Sequence, residues 1–352
     1  MPATLNLFDT ATMLKAVEIM KPIPRFLGDM FCLDDGTSDA ARCFYDYRNG
    51  SQTGLAPFVS PGTGGVSVGR EPFEMRMVQF ARLAPQRDVT LNDISVRTFG
   101  ENPIGGMTPA ERSRRKIAED LKYLRTIVQN TRNWMAREVL INGRLEIRRY
   151  TNEGLEKAAS MKLDFDFKNF YTPAVKWNQA GARIEYDIEK FVELIANQGG
   201  DVDTILMGPG VFDTMLDNEK YGKSLDMKNA ELGELRTRYA GQGLLFRGWS
   251  RNGINMVTDT AKFINYSNQQ EYEVPEGTIL FASTAKKPIK IKHGPVTKVV
   301  GLDETSKHET YVKKEVPFRI GDSKSDTITN RLVSCPTIIP VNVGGWGVMK
   351  VF

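Results

Sequence analysis

The side chains that could carry chemistry in this chain are few and scattered. Its two histidines, His293 and His308, stand in lysine-rich, turn-rich sequence outside any HExxH spacing and away from a nucleophile motif. They read as surface or hydrogen-bonded histidines, not as metal ligands or general bases. Two carboxylate pairs, Asp34-Asp35 and Asp164/Asp166, have the residue types for a metal or a two-carboxylate hydrolase. Alternation along a strand would bring Asp164 and Asp166 to one face. Nothing else in the sequence gathers around either pair, so solvated positions are the simpler reading. Gly208-Pro209-Gly210 follows an apolar run and opens a helical pattern, the context of a dinucleotide loop. Asp213 stands where the third glycine belongs, however, and a carboxylate there would repel a pyrophosphate, which leaves an ordinary turn from strand to helix. Gly62-Thr63-Gly64-Gly65 leads into no helix and makes a flexible tip, not a phosphate cradle. Neither GxSxG nor GxxxxGK[ST] occurs. Cys32, Cys43 and Cys335 form no CxxC pair. They fit buried thiols in a reducing compartment, with a Cys32–Cys43 disulfide open on spacing alone. No catalytic constellation, cofactor or metal site is expected from these residues.

What remains is charge and the element that carries it. The chain has 352 residues, 41% of them hydrophobic and 26% charged, with a net charge of +4, which is ordinary globular composition. The positive residues are concentrated: Arg112, Arg114, Arg115, Lys116, Lys122, Arg125, Arg132 and Arg137, followed by Arg144, Arg148 and Arg149. Such a run is either a solvated helix face or a surface that meets the carboxylates of a neighbour or phosphates. Only Tyr123 and Trp134 lie among them, so the aromatic interleaving of a nucleic-acid reader is missing. Thr108-Pro109-Ala110-Glu111 supplies an N-cap hydroxyl, a proline at the first helical position and a glutamate at N3. Ile117, Leu121, Leu124, Val128, Met135 and Val139 then keep one apolar seam until Asn142-Gly143 stops it. The spacing predicts one helix roughly 50 Å long.

The segments on either side must position that helix. The N-terminus has no basic region followed by an apolar run, and no stretch approaches the ~18 apolar residues of a membrane span. From Asp9-Thr10 a short amphipathic stretch carries Met13, Leu14, Val17, Ile19 and Met20. Ser51 to Gly69 is rich in glycine and proline; Glu71 to Leu83 then alternates, and residues 85–99 give a second strand-like run around Asp88-Val89-Thr90-Leu91. The two runs predict a projecting two-stranded ribbon, marginal on its own in water. Beyond the helix, Leu145-Glu146-Ile147 and Leu163 to Phe167 read as strands. A helix from Asp187 with Ile188, Phe191, Val192 and Ile195 on one face ends at Gly199-Gly200. A strand Asp203–Met207 and a helix Val211–Leu216 follow, and residues 243–301 alternate apolar runs with turns at Arg251-Asn252-Gly253 and Pro275-Glu276-Gly277. These segments make a mixed α/β domain, and the tail from Leu332 to Phe352 is β-like, broken by Pro336 and Pro340.

This order of flexible ribbon, long helix, strands, compact α/β domain and returning tail resembles the major capsid proteins of tailed bacteriophages. The lambda-type major head protein (capsid protein E) family is the nearer match. The resemblance is carried by Thr108 to Lys116, by Leu163-Asp164-Phe165-Asp166 with Trp177 downstream, by Pro275 to Leu280, and by Arg331 to Pro336. It implies an α+β fold of the Hong Kong ninety-seven type: an N-terminal arm (1–55), an extended loop (56–104), a peripheral domain (105–185 and 330–352) with a spine helix at about 108–141, and an axial domain (186–329). It implies a non-enzymatic head protein that self-assembles into an icosahedral shell around double-stranded DNA, in the virion after assembly in the host cytoplasm. The implied partners are further copies in hexamers and pentamers, a scaffold or decoration protein, a portal, and packaged DNA held by non-specific charge contact, with no membrane. No cofactor, metal or catalytic residue carries over, and no lysine–asparagine crosslinking pair can be matched. Assembly contacts are expected at Gly62, Gly64 and Gly65 on the loop tip and at Arg114, Arg115 and Lys116 on the helix. The alternatives are a cellular nanocompartment shell, a free DNA-binding protein and, least supported, a small-molecule enzyme using the Gly208-Pro209-Gly210 turn.

Overall fold

The computed structural model describes residues 10–20, 26–47, 74–96, 107–151, 154–156, 160–218, 221, 248–251, 253–300, 307–322 and 327–352. Its longest element begins where the capping signals fall. The Thr108 hydroxyl accepts the Glu111 amide (3.3 Å) and the Glu111 carboxylate accepts the Thr108 amide (2.8 Å). Amides at the helix start that lack intrahelical partners are thereby satisfied. The helix spans Pro109–Asn142, 34 residues, and closes at Gly143, left-handed at φ +65°, whose amide returns to the Val139 carbonyl. All six expected seam residues are buried. They do not share one core. Ile117 and Leu121 pack on Met13 of the helix Thr10–Ile19, and Leu124 and Val128 pack on Val17 and Leu332. Met135 and Val139 enter the largest cluster with Phe26, Phe31, Leu280 and Trp346.

A six-stranded mixed sheet forms the other hub, in the order Gly248–Arg251, Ile254–Thr258, Thr204–Met207, Thr278–Ala282, Gly347–Lys350, Phe170–Tyr171. Its central strands read TILM and TILFA and are buried throughout, as strands covered on both faces must be. Ile205, Met207, Ile279 and Phe281 meet the helices Ile184–Asn197 and Val211–Asp217. The alternate residues Leu206, Leu280 and Val348 face the C-terminal end of the long helix. The expected helix from Asp187 thus starts one turn earlier, and Asp187 is buried, accepting the Trp177 indole N–H (3.1 Å) and the Tyr171 hydroxyl (3.3 Å). Arg144–Ile147 pairs antiparallel with Met161–Asp164 as the alternation requires.

The ribbon pairs otherwise than expected. Glu74–Gln79 lies antiparallel not to residues 85–99 but to Arg42–Tyr47, in the register Cys43↔Val78 and Tyr45↔Arg76. Gln86–Val89 pairs instead with Thr327–Val333. The physical reason is apolar surface: Cys43, Tyr45 and Val78 present one face that joins the main core, which Gln86-Arg87-Asp88 cannot supply. Between the two strands the chain is tied to the tail, Ala81 to Pro336 (3.1 Å) and Leu83 to Ser334 (2.8 Å). The connection carrying Gly62, Gly64 and Gly65 lies outside the described residues. Nor do the tail prolines break a strand. Pro336 and Pro340 are the first and last residues of an edge strand on Ile289–His293, where a missing N–H is tolerated. Cys32 and Cys43 are free thiols. No helix among the described residues is long and apolar enough to cross a membrane.

The helix stop is also a packing point. A Cβ at Gly143 would stand 2.3 Å from the Phe167 Cβ, and Phe167 stacks on Trp346 with ring centroids 4.8 Å apart. Gly143→Ala should therefore lose more than the about 1–2 kcal/mol of a left-handed residue alone. Urea unfolding measures this, with Gly181→Ala, also at positive φ but with nothing within 4 Å, as the control that loses less.

Candidate assembly surface

The basic residues of the long helix divide into two sets. Those of its C-terminal half hold the subunit together. Arg125 and Arg132, two turns apart on one face, both grip Glu315 just before the strand Val316–Asp322, at 2.9 and 3.1 Å. Arg125 also donates to the Val17 carbonyl at the end of the N-terminal helix (2.8 Å). Arg137 donates to the Glu273 carbonyl (3.1 Å) and pairs with Glu138. Buried neutral and acidic side chains of the same helix add further ties. Asp120 accepts Arg87 (3.2 Å) and Asn330 (3.1 Å), and Asn133 donates to Glu273 (2.7 Å) while accepting the Gly28 amide (2.9 Å). Burial of such groups is tolerated because they are bonded.

The N-terminal half carries the second set, which includes the residues expected at the assembly surface. Arg114 is exposed, while Arg115 and Lys116 are half-buried. Arg115 bonds Glu119 one turn on (2.9 Å). Lys116 lies toward Asp93, whose carboxyl the Thr90 amide and hydroxyl hold below the usual range with the Lys116 charge assisting. Consecutive helix positions do not face one another, so the three do not form one patch. Lys122, Arg144, Arg148 and Arg149 are also exposed.

The ribbon adds an apolar surface that the sequence pattern did not single out. Its inner face is core; on its outer face Phe44 is 58%, Met75 66% and Met77 48% exposed, with Phe44 and Met77 directly opposed. The signal for it in the sequence is the run Arg42 to Tyr47, where Cys43 and Tyr45 alternate with Phe44. Beside the long helix runs a trough of about 850 Å³ between Ile127, Thr131 and Trp134, the segment 80–85 and residues 147–150, edged by Arg82, Arg148 and Arg149. A second hollow of about 370 Å³ continues past Tyr266, whose ring meets Trp134 edge-on (5.3 Å), toward Lys262 and Glu273.

The scattered chemistry of the sequence does not converge. Asp166 is not on a strand: it adopts φ +53°, its amide bonds the Asp164 carboxylate (3.0 Å), and its own carboxylate pairs with Arg76 (2.6 Å). Asp34 pairs with Lys314, and Asp35 with Lys290 (3.4 Å). His293 is neither a surface nor a fully bonded histidine. It is 0% exposed, with Nδ1 against the Gly36 carbonyl (3.3 Å) and Nε2 unpartnered among the described residues. Burial, and then the Arg132 charge, pushes its pKa down to about 4, so it is neutral at physiological pH. The Gly208 turn is closed by backbone: a Cβ there would lie 2.2 Å from the Pro275 carbonyl oxygen.

Comparison with known proteins accounts for this fold. The family model described as phage major capsid protein E matches residues 9–316. Among solved structures, a prophage protein of E. coli CFT073 described as a capsid protein superposes with a TM-score of 0.68 at 13% identity, covering 98% of this chain and 99% of that one. It shows the Hong Kong ninety-seven type of capsid fold. A phage-related protein from Bordetella bronchiseptica RB50 gives 0.48 at 9% identity over 96% and 95% of the chains, and the capsid of the myovirus XM1 gives 0.45 at 8% over 96% and 95%. No curated protein matches the sequence.

The two sets of basic residues should separate by mutation. Glu315→Ala leaves Arg125 and Arg132 facing a vacated, largely buried site and should destabilise the chain by roughly 3 kcal/mol. Arg115→Ala removes an i, i+4 pair that solvent still reaches, with side chains 37% and 52% exposed, and should change stability by less than about 0.5 kcal/mol. Denaturant midpoints of the two variants check both values.

Proposed function

The chain belongs to the phage major capsid protein E family and is a structural protein of a capsid shell, and from that premise we propose how its surfaces build the shell. The observation that carries the proposal is the ribbon. One face is anchored in the core, and the other shows Phe44, Met75 and Met77 to solvent. An apolar face of this kind is satisfied by a partner of fixed geometry, here the neighbouring copy. The trough beside that copy's long helix is the complementary surface, since Leu83, Ile127, Trp134 and Met161 line it with apolar groups. Ribbon and trough are different surfaces, so the contact is heterologous and repeats until a ring closes.

Rings of six and of five then make a closed icosahedral shell around double-stranded DNA. The ribbon of Arg42–Tyr47 and Glu74–Gln79 is the base of its extended loop, whose expected tip at Gly62, Gly64 and Gly65 lies outside the described residues. The long helix belongs to the peripheral domain and residues 186–329 to the axial domain. The tail 330–352 serves both: it continues the strand beside Gln86–Val89 and then completes the six-stranded sheet with Gly347–Lys350. Arg114, Arg115 and Lys116, with Arg148 and Arg149, contact acidic groups of neighbours or packaged phosphates through charge alone. A scaffold or decoration protein and a portal complete the head, assembled in the host cytoplasm, and the chain's role there is structural, not enzymatic. A cellular compartment shell, the other reading, is not favoured by the family match.

Electron microscopy of the purified chain across salt and concentration tests the proposal. Closed shells, tubes or ringed capsomers are expected. A particle at the 39.5 kDa mass of one chain under every condition, with neighbouring head proteins co-expressed, would contradict it. Gly64→Pro combined with Gly65→Pro should give a folded subunit that does not assemble. Reversal of Arg114 and Arg115 to glutamate should impair assembly or DNA retention while circular dichroism stays native.

A further inference from the structure

Where the six-stranded sheet meets the long helix, two carboxyls are buried together. Asp259, immediately after the strand Ile254–Thr258, is 0% exposed, and Glu273, after the strand Gln270–Tyr272, is 4% exposed. Their backbones are fixed: the Asp259 amide donates to the Met207 carbonyl and the Glu273 amide to the Ala261 carbonyl, both at 2.8 Å. Their side chains are served unequally. Glu273 Oε1 accepts the Asn133 amide nitrogen (2.7 Å), and Asn133 in turn accepts the Gly28 amide from the helix Phe26–Phe31. Asp259 Oδ1 accepts the Ala261 amide (2.8 Å), whereas Oδ2 has no hydrogen-bond partner among the described residues.

The cations nearby are engaged elsewhere. From the long helix, Arg137 turns its Nε to the Glu273 carbonyl oxygen and a terminal nitrogen to Glu138, and lies over the Phe263 ring. In the strand pair Lys262–Ile264 and Gln270–Tyr272, Lys262 is exposed and sits over the Tyr272 ring (4.6 Å), while Glu271 accepts Asn265 (2.6 Å). Two ionised carboxylates away from water repel, and a carboxylate oxygen without a donor is costly to keep charged. Glu273, with its amide donor, is the member that bears the charge; the donorless Oδ2 of Asp259 is where a proton resides.

We propose that Asp259 and Glu273 share one proton in the folded chain, held on Asp259 Oδ2, and that this proton holds the ends of the strands Ile254–Thr258 and Gln270–Tyr272 together until rising pH removes it. Burial first, and then the Glu273 charge, raises the Asp259 carboxyl well above the ordinary carboxylate range. The unfolded chain releases this proton near pH 4, and the folded chain keeps it to higher pH. Its stabilisation is therefore complete at acidic pH, declines as pH rises, and is gone once the folded carboxyl ionises. The consequence is a conformational device inside the subunit. Above that pH two charges oppose each other at the ends of Ile254–Thr258 and Gln270–Tyr272, beside the Asn133–Glu273 bond that ties this corner to the long helix.

The test compares thermal unfolding of the full chain and of Asp259→Asn from pH 5 to pH 9.5. Asparagine keeps the shape of the neutral acid and does not titrate. The wild-type melting temperature should fall by several degrees relative to Asp259→Asn as pH rises, with the gap closing toward pH 5. Parallel profiles would overturn the proposal. Because Asp259→Asn could fold poorly, the wild-type chain is read directly as well. Infrared spectroscopy should show a protonated-carboxyl band persisting at neutral pH, and its absence would also overturn the proposal. Glu273→Gln, which removes the neighbouring charge, should move the loss of that band to lower pH.

Discussion

The helix Pro109–Asn142 passes three separate apolar clusters, and no single one covers its length. Its seam could slide or tilt against any one of them, because apolar contact is non-directional. Directional bonds remove that freedom. Five of its side chains bind three different pieces of the chain: Asp120 the sheet of Gln86–Val89 and Thr327–Val333, Arg125 and Arg132 together Glu315, and Asn133 and Arg137 together Glu273. Each of those buried or half-buried polar groups would be a liability alone and is a register mark when paired. The helix thereby becomes a rigid bar that fixes where every other surface points.

That rigidity matters for a subunit whose outer features are weak. A two-stranded ribbon has few contacts of its own, and this one uses a single face to hold on to the body. Its other face is held apolar and bare. A shell protein needs surfaces that are unsatisfied in the free chain and satisfied in the lattice, so that assembly supplies stability the monomer lacks. The bar supplies the opposite property, a geometry the same in every copy, without which repeated heterologous contacts would not close.

Much of this was legible in residue order. The capping residues Thr108 and Glu111, the seam from Ile117 to Val139 and the stop at Gly143 are local signals, and each was realised as read. What was not legible is non-local. The ribbon was assigned to the wrong pair of strands because pairing depends on which side chains find the core: Cys43, Tyr45 and Val78 do, and Asp88 does not. The roles of Arg125 and Arg132 were hidden for the same reason. Their partner Glu315 is far away in sequence, and nothing in a run of arginines tells a solvated charge from one that grips a buried carboxylate. His293 looked unremarkable in lysine-rich sequence and proved fully enclosed.

The central claim is that the long helix is ordered by the chain itself whereas the ribbon is completed by a neighbour. Hydrogen–deuterium exchange on free subunits and on assembled particles tests it most directly. The account predicts strong protection of amides in residues 117–141 in both states, and protection of residues 42–47 and 74–79 that rises sharply only on assembly. Ribbon amides equally protected in the free subunit, or unchanged in the particle, would contradict it.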